Sequence, residues 1–253
     1  MFLMPTWIAL GFQDSNSWSI AYLIDLHNHA IVIILRVLVI IIYSILLNFS
    51  TKVYYKFIAE GVIVETIWSI VPTFLLIALV IPSIKVLYWV EDYFSFLPTA
   101  TIKITAHQWY WTYRIPYLEG IRFKIKEEYY INFEYDSLIQ EKEEEAPRLL
   151  GTDTSLLIPL GWTSRLIITS RDVLHAFAVP SLGLKVDAVP GRINQLFCNP
   201  SKIGLFIGQC SEICGANHRF IPIRVKVIKI KDLLGICKTE FIKRLGNYLA
   251  NLK

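Results

Sequence analysis

Two long apolar stretches within the first ninety residues constrain the fold of this chain more than any other feature. They run from Ala30 to Phe49 and from Thr66 to Val90. An α-helix rises about 1.5 Å per residue, so about 20 residues cross a hydrocarbon layer of about 30 Å. Charge is sparse there, since the first ninety residues hold four basic and four acidic side chains. We predict a transmembrane helical hairpin; the alternative is a buried helix pair in a soluble protein.

The loop between the two stretches indicates how the hairpin is oriented. Residues 50–65 contain Lys52 and Lys56, whereas no lysine or arginine precedes Arg36. Basic loops stay on the cytoplasmic or matrix side of a membrane. We therefore expect this loop on the inner face and residues 1–29, with the C-terminus, on the outer face. Arg36 lies inside the first stretch, where it either snorkels to the outer interface or pairs with another subunit.

The sequence pattern changes to period two after Pro98. Apolar and polar residues alternate from Ile102 to Ala106 and again from Ile221 to Val227, and glycine and proline punctuate the short apolar runs between them. Such alternation is typical of half-buried strands, and many short strands indicate a sandwich or barrel. We predict an all-β domain over residues 91–230, with an acidic, solvated insertion at about 119–148.

The distribution of charge argues against nucleic acid as a partner. The formal net charge is only +4, and the main basic segment is the tail 231–253, with five basic and two acidic residues. Domains that bind nucleic acid normally carry a larger basic patch. We predict instead that the tail forms a basic amphipathic helix, which lies on a partner protein or on lipid headgroups.

Three potential metal ligands fall within nine residues. Cys210, Cys214 and His218 have the spacing Cys-x3-Cys-x3-His, and a further histidine, His175, lies upstream. Thiolates and imidazoles suit copper and zinc. Two cysteines on one loop can bridge two copper ions, contribute to a tetrahedral zinc site, or close a disulfide in an oxidising compartment. The spacing favours copper but does not exclude zinc or a disulfide.

Five motifs resemble those of the cytochrome c oxidase subunit 2 family of haem–copper oxidases, and the resemblance covers most of the chain. They are GFQDS (11–15), VETIWSIVP (64–72), HQWYW (107–111), VLHAFAVPSLGLKVDAVPGRINQ (173–195) and GQCSEICGANH (208–218). The resemblance implies a membrane α-helical hairpin followed by an all-β cupredoxin-like sandwich. It also implies an electron-transfer subunit, which accepts electrons from reduced cytochrome c and passes them to the haem of a large subunit, for oxygen reduction coupled to proton pumping.

The resemblance assigns ligands for a binuclear copper A centre. His175 and His218 would be terminal imidazole ligands, and Cys210 and Cys214 would bridge the two copper ions. The backbone carbonyl of Glu212 would be a weak copper ligand, and its carboxylate would bind a magnesium ion shared with the large subunit. A hard carboxylate suits magnesium and soft sulfur suits copper, so both assignments agree with ligand chemistry.

One ligand of the family is missing. The family has a methionine three residues after the second histidine, as a weak axial copper ligand, and this chain has Ile221 there. Isoleucine cannot ligate a metal, but axial ligands tune the redox potential of a copper site rather than create the site. Either the centre has one coordination bond fewer, or codon reassignment or RNA editing hides a methionine in a chain with only two.

The resemblance also implies roles for residues outside the ligand set. Trp109 would receive the electron from cytochrome c, with Tyr110 beside it, and Glu65 would lie at the mouth of a proton pathway. Asp172 matches an acidic family position and would add to a local patch that attracts the basic cytochrome. The alternatives are ordinary sandwich core for the two rings and a solvated helix flank for Glu65.

We expect the chain to be a multi-pass protein of the mitochondrial inner membrane, with its β domain in the intermembrane space. Few residues precede GFQDS, and isoleucine is abundant, as in AT-rich organellar genes. Two other functions are considered. One is a quinol-oxidase-type subunit, which would lack the copper ligands that this chain has; the other is a structural subunit with zinc or a disulfide in the cysteine loop.

Overall fold

The chain divides into two compact units, residues 21–92 and residues 1–20 together with 93–253. Most of the predicted acidic insertion (119–148) and of the predicted C-terminal helix (231–253) lies outside the described residues, although residues 230–236 are helical. The computed structural model describes residues 2–3, 10–51, 57, 60–91, 97–115, 133–140, 148–236 and 239.

Two long apolar helices, α1 (Trp18–Ser50) and α2 (Val62–Glu91), contain the predicted membrane spans. The most apolar windows of α1 and α2 have mean hydropathies of 3.0 and 2.3, and only 0% and 6% of each window is buried. A helix bonds its own backbone polar groups, so an apolar helix with outward-facing side chains suits lipid. The first helix begins well before Ala30, where the predicted span starts.

A proline in α2 faces a histidine of α1. Pro72 and Pro82 lie inside α2, and a proline has no N–H with which to bond the carbonyl four residues before it. The carbonyl that Pro82 cannot bond is that of Ala78, and its oxygen lies 3.3 Å from Nε2 of His29. Because a carbonyl only accepts, the His29 ring donates this hydrogen bond, and it joins the two helices.

The β domain consists of two sheets. One has the order β5-β11-β10-β7-β8, with β1 parallel to part of β10, and the other has the order β4-β3-β2-β6-β9. The strands are β1 (Phe2–Leu3), β2 (Ala100–His107), β3 (Tyr110–Ile115), β4 (Phe133–Ser137), β5 (Leu156–Pro159), β6 (Ser164–Ser170), β7 (His175–Val179), β8 (Leu184–Ala188), β9 (Asn194–Cys198), β10 (Gly204–Cys210) and β11 (Pro222–Ile228).

The alternating residues form the core of the β domain. On β2 and β11 the apolar positions of the alternation are buried, and the residues between them are more exposed. β3 adds two fully buried aromatic rings, those of Trp111 and Tyr113. The predicted fold class, a helical hairpin followed by an all-β domain, is confirmed. The buried alternating residues are Ile102, Ile104, Ala106, Ile223, Val225 and Val227.

The segment before α1 is bound to the β domain through Asn16, which is fully buried. The backbone N–H of Asn16 donates to the carbonyl of Ser181 at 2.9 Å, and its own carbonyl accepts the N–H of Ser201 at 3.0 Å. Its side-chain amide donates to the carbonyl of Lys202 at 3.1 Å. These bonds make the residues that lead into α1 part of the β-domain unit.

Candidate metal centre

Three of the four predicted ligands lie between β10 and β11. Cys210 is the last residue of β10, Cys214 lies in the loop, and His218 begins a 3₁₀ turn just before β11. The fourth, His175, is the first residue of β7. Strands β7 and β10 pair antiparallel, with Cys210 opposite Phe177. The pairing therefore brings His175 to the cysteine loop.

The four predicted ligands come together as two histidine–cysteine pairs. Nδ1 of His175 lies 3.8 Å from Sγ of Cys210, and Nδ1 of His218 lies 3.4 Å from Sγ of Cys214. Both cysteines are free thiols. The side chains of His175, Cys210 and Cys214 are 0%, 7% and 3% exposed. Two sulfurs and the imidazole of His175 thus lie together and buried, and the half-buried His218 lies beside Cys214.

The spacing of the donors groups three of them and leaves His218 apart. Zinc–ligand bonds of about 2.0–2.3 Å put any two tetrahedral ligands about 3.3–3.8 Å apart. The ligand atoms of His175, Cys210 and Cys214 lie within 4.8 Å of one another, but His218 is not part of that group. A single ion held by all four side chains would therefore need His218 to lie closer to His175 or Cys210 than it does.

A carboxylate fixes the orientation of His175. Oδ1 of Asp172 lies 2.9 Å from Nε2 of the ring, and the backbone N–H groups of Val173 and Gln108 donate to the same carboxylate, each at 2.6 Å. Burial alone would raise the pKa of Asp172, but these hydrogen bonds outweigh burial and lower the pKa. An ionised carboxylate only accepts, so Nε2 of the ring donates to Asp172, and Nδ1 faces Cys210.

The two thiols of the site differ in how readily they ionise. Burial would raise the pKa of Cys210, but the hydrogen bond with His175 and other contacts outweigh burial, and the pKa is lowered. Burial and the neighbouring Cys210 raise the pKa of Cys214 to about 12. Two adjacent thiolates repel each other, so a bound cation is needed to deprotonate both at neutral pH.

Two further positions named from the sequence adjoin the thiols. The carbonyl oxygen of Glu212 lies 3.3 Å from Sγ of Cys210, and its side chain is half-buried. Ile221 is 1% exposed and packs in the same apolar cluster as Cys210 and Cys214. Its carbonyl accepts the N–H of Cys210 at 3.1 Å. Position 221 therefore offers a hydrocarbon side chain to the site.

Trp109 lies against the cysteine loop. A Cβ placed on Gly215, the residue after Cys214, would be 3.4 Å from both Nε1 and Cζ2 of the indole, so the ring contacts the backbone there. Tyr110 begins β3 and stacks on the ring of His107, with the ring centroids 4.6 Å apart and the planes 4° apart. The indole thus lies next to the cysteine loop, and Tyr110 stacks on the neighbouring His107.

Glu65 lies in the first turn of α2, in the other unit. Its exposed carboxylate accepts the backbone N–H of Gly61 at 3.3 Å. A carboxylate at a helix N-terminus satisfies a free N–H and interacts favourably with the helix dipole. This contact agrees with the interpretation of Glu65 as a helix flank, and its role in a proton pathway stays a prediction.

Two residues at the site, Gln108 and Gly215, are not evident from sequence spacing. Gln108 reaches across 106 residues, since its side-chain amide donates to the carbonyl of Cys214 at 2.8 Å. It stands inside the motif HQWYW, but a motif does not show which way a polar side chain points. Gly215 has φ +125°, a backbone conformation that favours glycine. In the sequence, the only sign of its role is its position directly after Cys214.

Comparisons with known proteins match both parts of the fold. The family model for the periplasmic domain of cytochrome c oxidase subunit II matches residues 100–228, and the model for the transmembrane domain of that subunit matches residues 5–86. The chain belongs to the cytochrome c oxidase subunit II family. The predicted family is therefore confirmed.

Subunit II relatives match nearly the whole chain. Cytochrome c oxidase subunit 2 of Branchiostoma floridae is 37% identical over 237 residues, which cover 92% of this chain and 97% of the relative. That of Apis mellifera ligustica is 43% identical over 223 residues, which cover 88% of this chain and 93% of the relative. The crystal structure of the periplasmic domain of subunit II (CoxB) of Bradyrhizobium japonicum is 39% identical and covers 58% of this chain and 96% of that one, with a TM-score of 0.49.

Proposed function

We propose that this subunit carries electrons through a binuclear copper A centre held by His175, Cys210, Cys214 and His218. The observation that supports this most directly is the arrangement of the four donors as two histidine–cysteine pairs around adjacent sulfurs. Soft sulfur and imidazole donors suit copper. When bound, the copper pair would supply a one-electron acceptor whose charge is shared through the two sulfurs.

The residues of the chain would hold and shield that centre. Asp172 accepts a hydrogen bond from Nε2 of His175 and so keeps Nδ1 turned towards the site. Burial of the two thiols excludes water, which keeps the surroundings of the charge nearly constant during transfer. The carbonyl of Glu212 is near enough to serve as a weak ligand. No bond to a substrate is made on this chain.

The electron would come from reduced cytochrome c and leave to the haem of the large oxidase subunit, where oxygen is reduced and protons are pumped. Trp109 is the proposed point of arrival, because its indole contacts the backbone next to Cys214, and Tyr110 lies beside it. The half-buried carboxylate of Glu212 would bind magnesium at the interface with the large subunit.

The location of the subunit follows from the same proposal. The helices α1 and α2 would span the mitochondrial inner membrane, with the loop 50–65 in the matrix and the β domain (91–230) in the intermembrane space. Glu65, at the matrix end of α2, would lie at the mouth of a proton pathway. The C-terminal residues 231–253 would lie on a partner subunit or on lipid headgroups.

The identity of residue 221 affects the redox potential that the proposal predicts. If the residue is isoleucine, position 221 would supply no sulfur donor to a bound copper, and the redox potential of the centre should differ from that of relatives with methionine there. The mass of the peptide that contains position 221 distinguishes this from a recoded or edited methionine. A measured isoleucine would remove the recoding hypothesis.

A metal count and EPR spectra of the purified oxidase test the proposal. We expect two copper ions on this subunit and a mixed-valence dicopper signal, which Cys214→Ser abolishes. The control is Cys198→Ser, at a buried cysteine on β9, which should keep the signal. Zinc in place of copper, or a disulfide between Cys210 and Cys214 in the working enzyme, would overturn the proposal. A copper-free subunit in a quinol-oxidising complex would also overturn the proposal.

A further inference from the structure

The turn that carries Trp109 is attached to both ligand-bearing segments through one residue. The backbone N–H of Gln108 donates to Asp172 at 2.6 Å, and Asp172 accepts a hydrogen bond from Nε2 of His175 at 2.9 Å. The side-chain amide of Gln108 donates to the carbonyl of Cys214 at 2.8 Å. Gln108 is therefore bonded on one side to the carboxylate that orients one predicted ligand and on the other side to the second cysteine.

The indole of Trp109 packs against the apolar core but has no hydrogen bond of its own to fix its position among the described residues. Its Nε1 is buried and has no hydrogen-bond partner within the described part of the chain. Its ring packs against the backbone of Gly215, where a Cβ would come within 3.4 Å of two ring atoms and 3.2 Å of Nε2 of Gln108. The amide of Gln108 and the indole of Trp109 therefore lie side by side on the same segment of backbone.

We infer that the Gln108 amide is a positioning residue, which holds the Trp109 indole against the Cys214–Gly215 backbone and so sets the rate at which an electron passes from the ring to the metal centre. The inference rests on the proposed function. One electron leaves the haem iron of the donor cytochrome and one electron arrives at the copper pair, and no proton moves and no bond is made or broken. Since electron tunnelling weakens steeply with distance, a displacement of the indole away from the cysteine loop would slow the transfer.

The test compares Gln108→Met, which keeps the length of the side chain without the donor, with Gln108→Asn, which keeps the amide but falls short of the carbonyl. The matched control is Gln195→Met, at an exposed glutamine on β9, the end strand of its sheet. In the whole oxidase, the rate of copper reduction at saturating cytochrome c is followed after a laser flash. We expect both Gln108 variants to be about fivefold slower, which corresponds to about 1 kcal/mol, the usual net value of a hydrogen bond.

Measurements of the metal site, of cytochrome c binding and of backbone exchange separate positioning from a general structural role. Copper content and the dicopper EPR signal should be those of the unaltered enzyme in all three variants, and the affinity for cytochrome c should not change. Hydrogen–deuterium exchange at residues 214–220 should be faster in the Gln108 variants than in the control. An unchanged limiting rate would overturn the inference, and so would a slower rate that comes with an altered EPR signal or lost copper. If the unaltered enzyme itself lacks the dicopper signal, the proposed function fails, which is a different result.

Discussion

His29 of α1 donates a hydrogen bond to the carbonyl oxygen of Ala78 in α2, and Ala78 is the residue whose carbonyl Pro82 cannot bond. The distance between Nε2 of the ring and the oxygen is 3.3 Å. Proline in a membrane helix is tolerated when a neighbouring group bonds the freed carbonyl. A polar side chain at this level of an apolar helix therefore has a partner on the neighbouring helix.

A double-mutant cycle tests this relationship. His29→Leu removes the donor and should destabilise the hairpin by about 0.6–1.7 kcal/mol, the range of such bonds between membrane helices. In a Pro82→Ala background the backbone N–H of residue 82 can bond Ala78, so the cost of His29→Leu should fall towards zero. Unfolding of the full chain in detergent measures the cost of His29→Leu in both backgrounds. Equal costs in the two backgrounds would contradict the prediction.

Loss of the Asn16 side chain should destabilise the β domain. Asn16→Ala removes the bond to the carbonyl of Lys202 and the contact of its Oδ1 with the hydroxyl of Ser201, at 3.1 and 3.2 Å. Leaving buried polar groups unpaired costs about 1–3 kcal/mol. Ser201→Ala loses only the second contact and should cost less. The midpoint of chemical unfolding of the full chain measures the change.

The control for the Asn16 variant is Asn28→Ala, at an exposed position in α1. This substitution should change the free energy of unfolding by less than about 0.5 kcal/mol. An Asn16→Ala variant as stable as this control would mean that the segment before α1 is held by its backbone bonds alone.

Gly208 should not tolerate a side chain. It lies on β10, two residues before Cys210, and a Cβ there would be 2.0 Å from the carbonyl oxygen of Ala178 on β7. Gly208→Ala should therefore force the two strands apart, cost about 3 kcal/mol or more, and lower the metal content of the purified protein. Gly11→Ala, at a glycine with open space around it, is the matched control and should be nearly neutral. Normal metal loading in Gly208→Ala would show that the strands move without disturbing the site.

Cys198 should make the stability of the β domain fall at alkaline pH. Burial raises the pKa of its thiol from an ordinary 9.0 to about 12. Because the folded state holds the proton more tightly, the contribution to stability is complete below pH 9 and is lost as the pH rises from 9 towards 12. Each proton contributes a slope of about 1.4 kcal/mol per pH unit.

Urea unfolding of the full chain between pH 8 and pH 11 measures that slope. Cys198→Ala should lower stability at pH 8 but show a shallower alkaline loss, and the difference between the two curves isolates this thiol from other groups that ionise. Parallel curves for the two proteins would mean that Cys198 can ionise inside the folded domain without cost.

The local patterns of the sequence were enough to predict the architecture. Apolar runs of about 20 residues can satisfy their backbone in lipid only as helices, and the alternation around Ile104 and Val225 can bury one face only as strands. The spacing of Cys210, Cys214 and His218 within one loop also favoured a metal site over a disulfide, because a short loop keeps its donors close together whatever surrounds it.

What the tertiary structure decided is which distant groups meet. Spacing left copper, zinc and a disulfide open at the cysteine loop, and the pairing of β7 with β10 set the arrangement of the donors by bringing His175 to Cys210. The bond between Gln108 and Cys214, and that between His29 and Ala78, join segments whose sequences give no sign of each other. Hydrogen bonds act over about 3 Å, so their partners are chosen by how the strands and helices pack and not by their order along the chain.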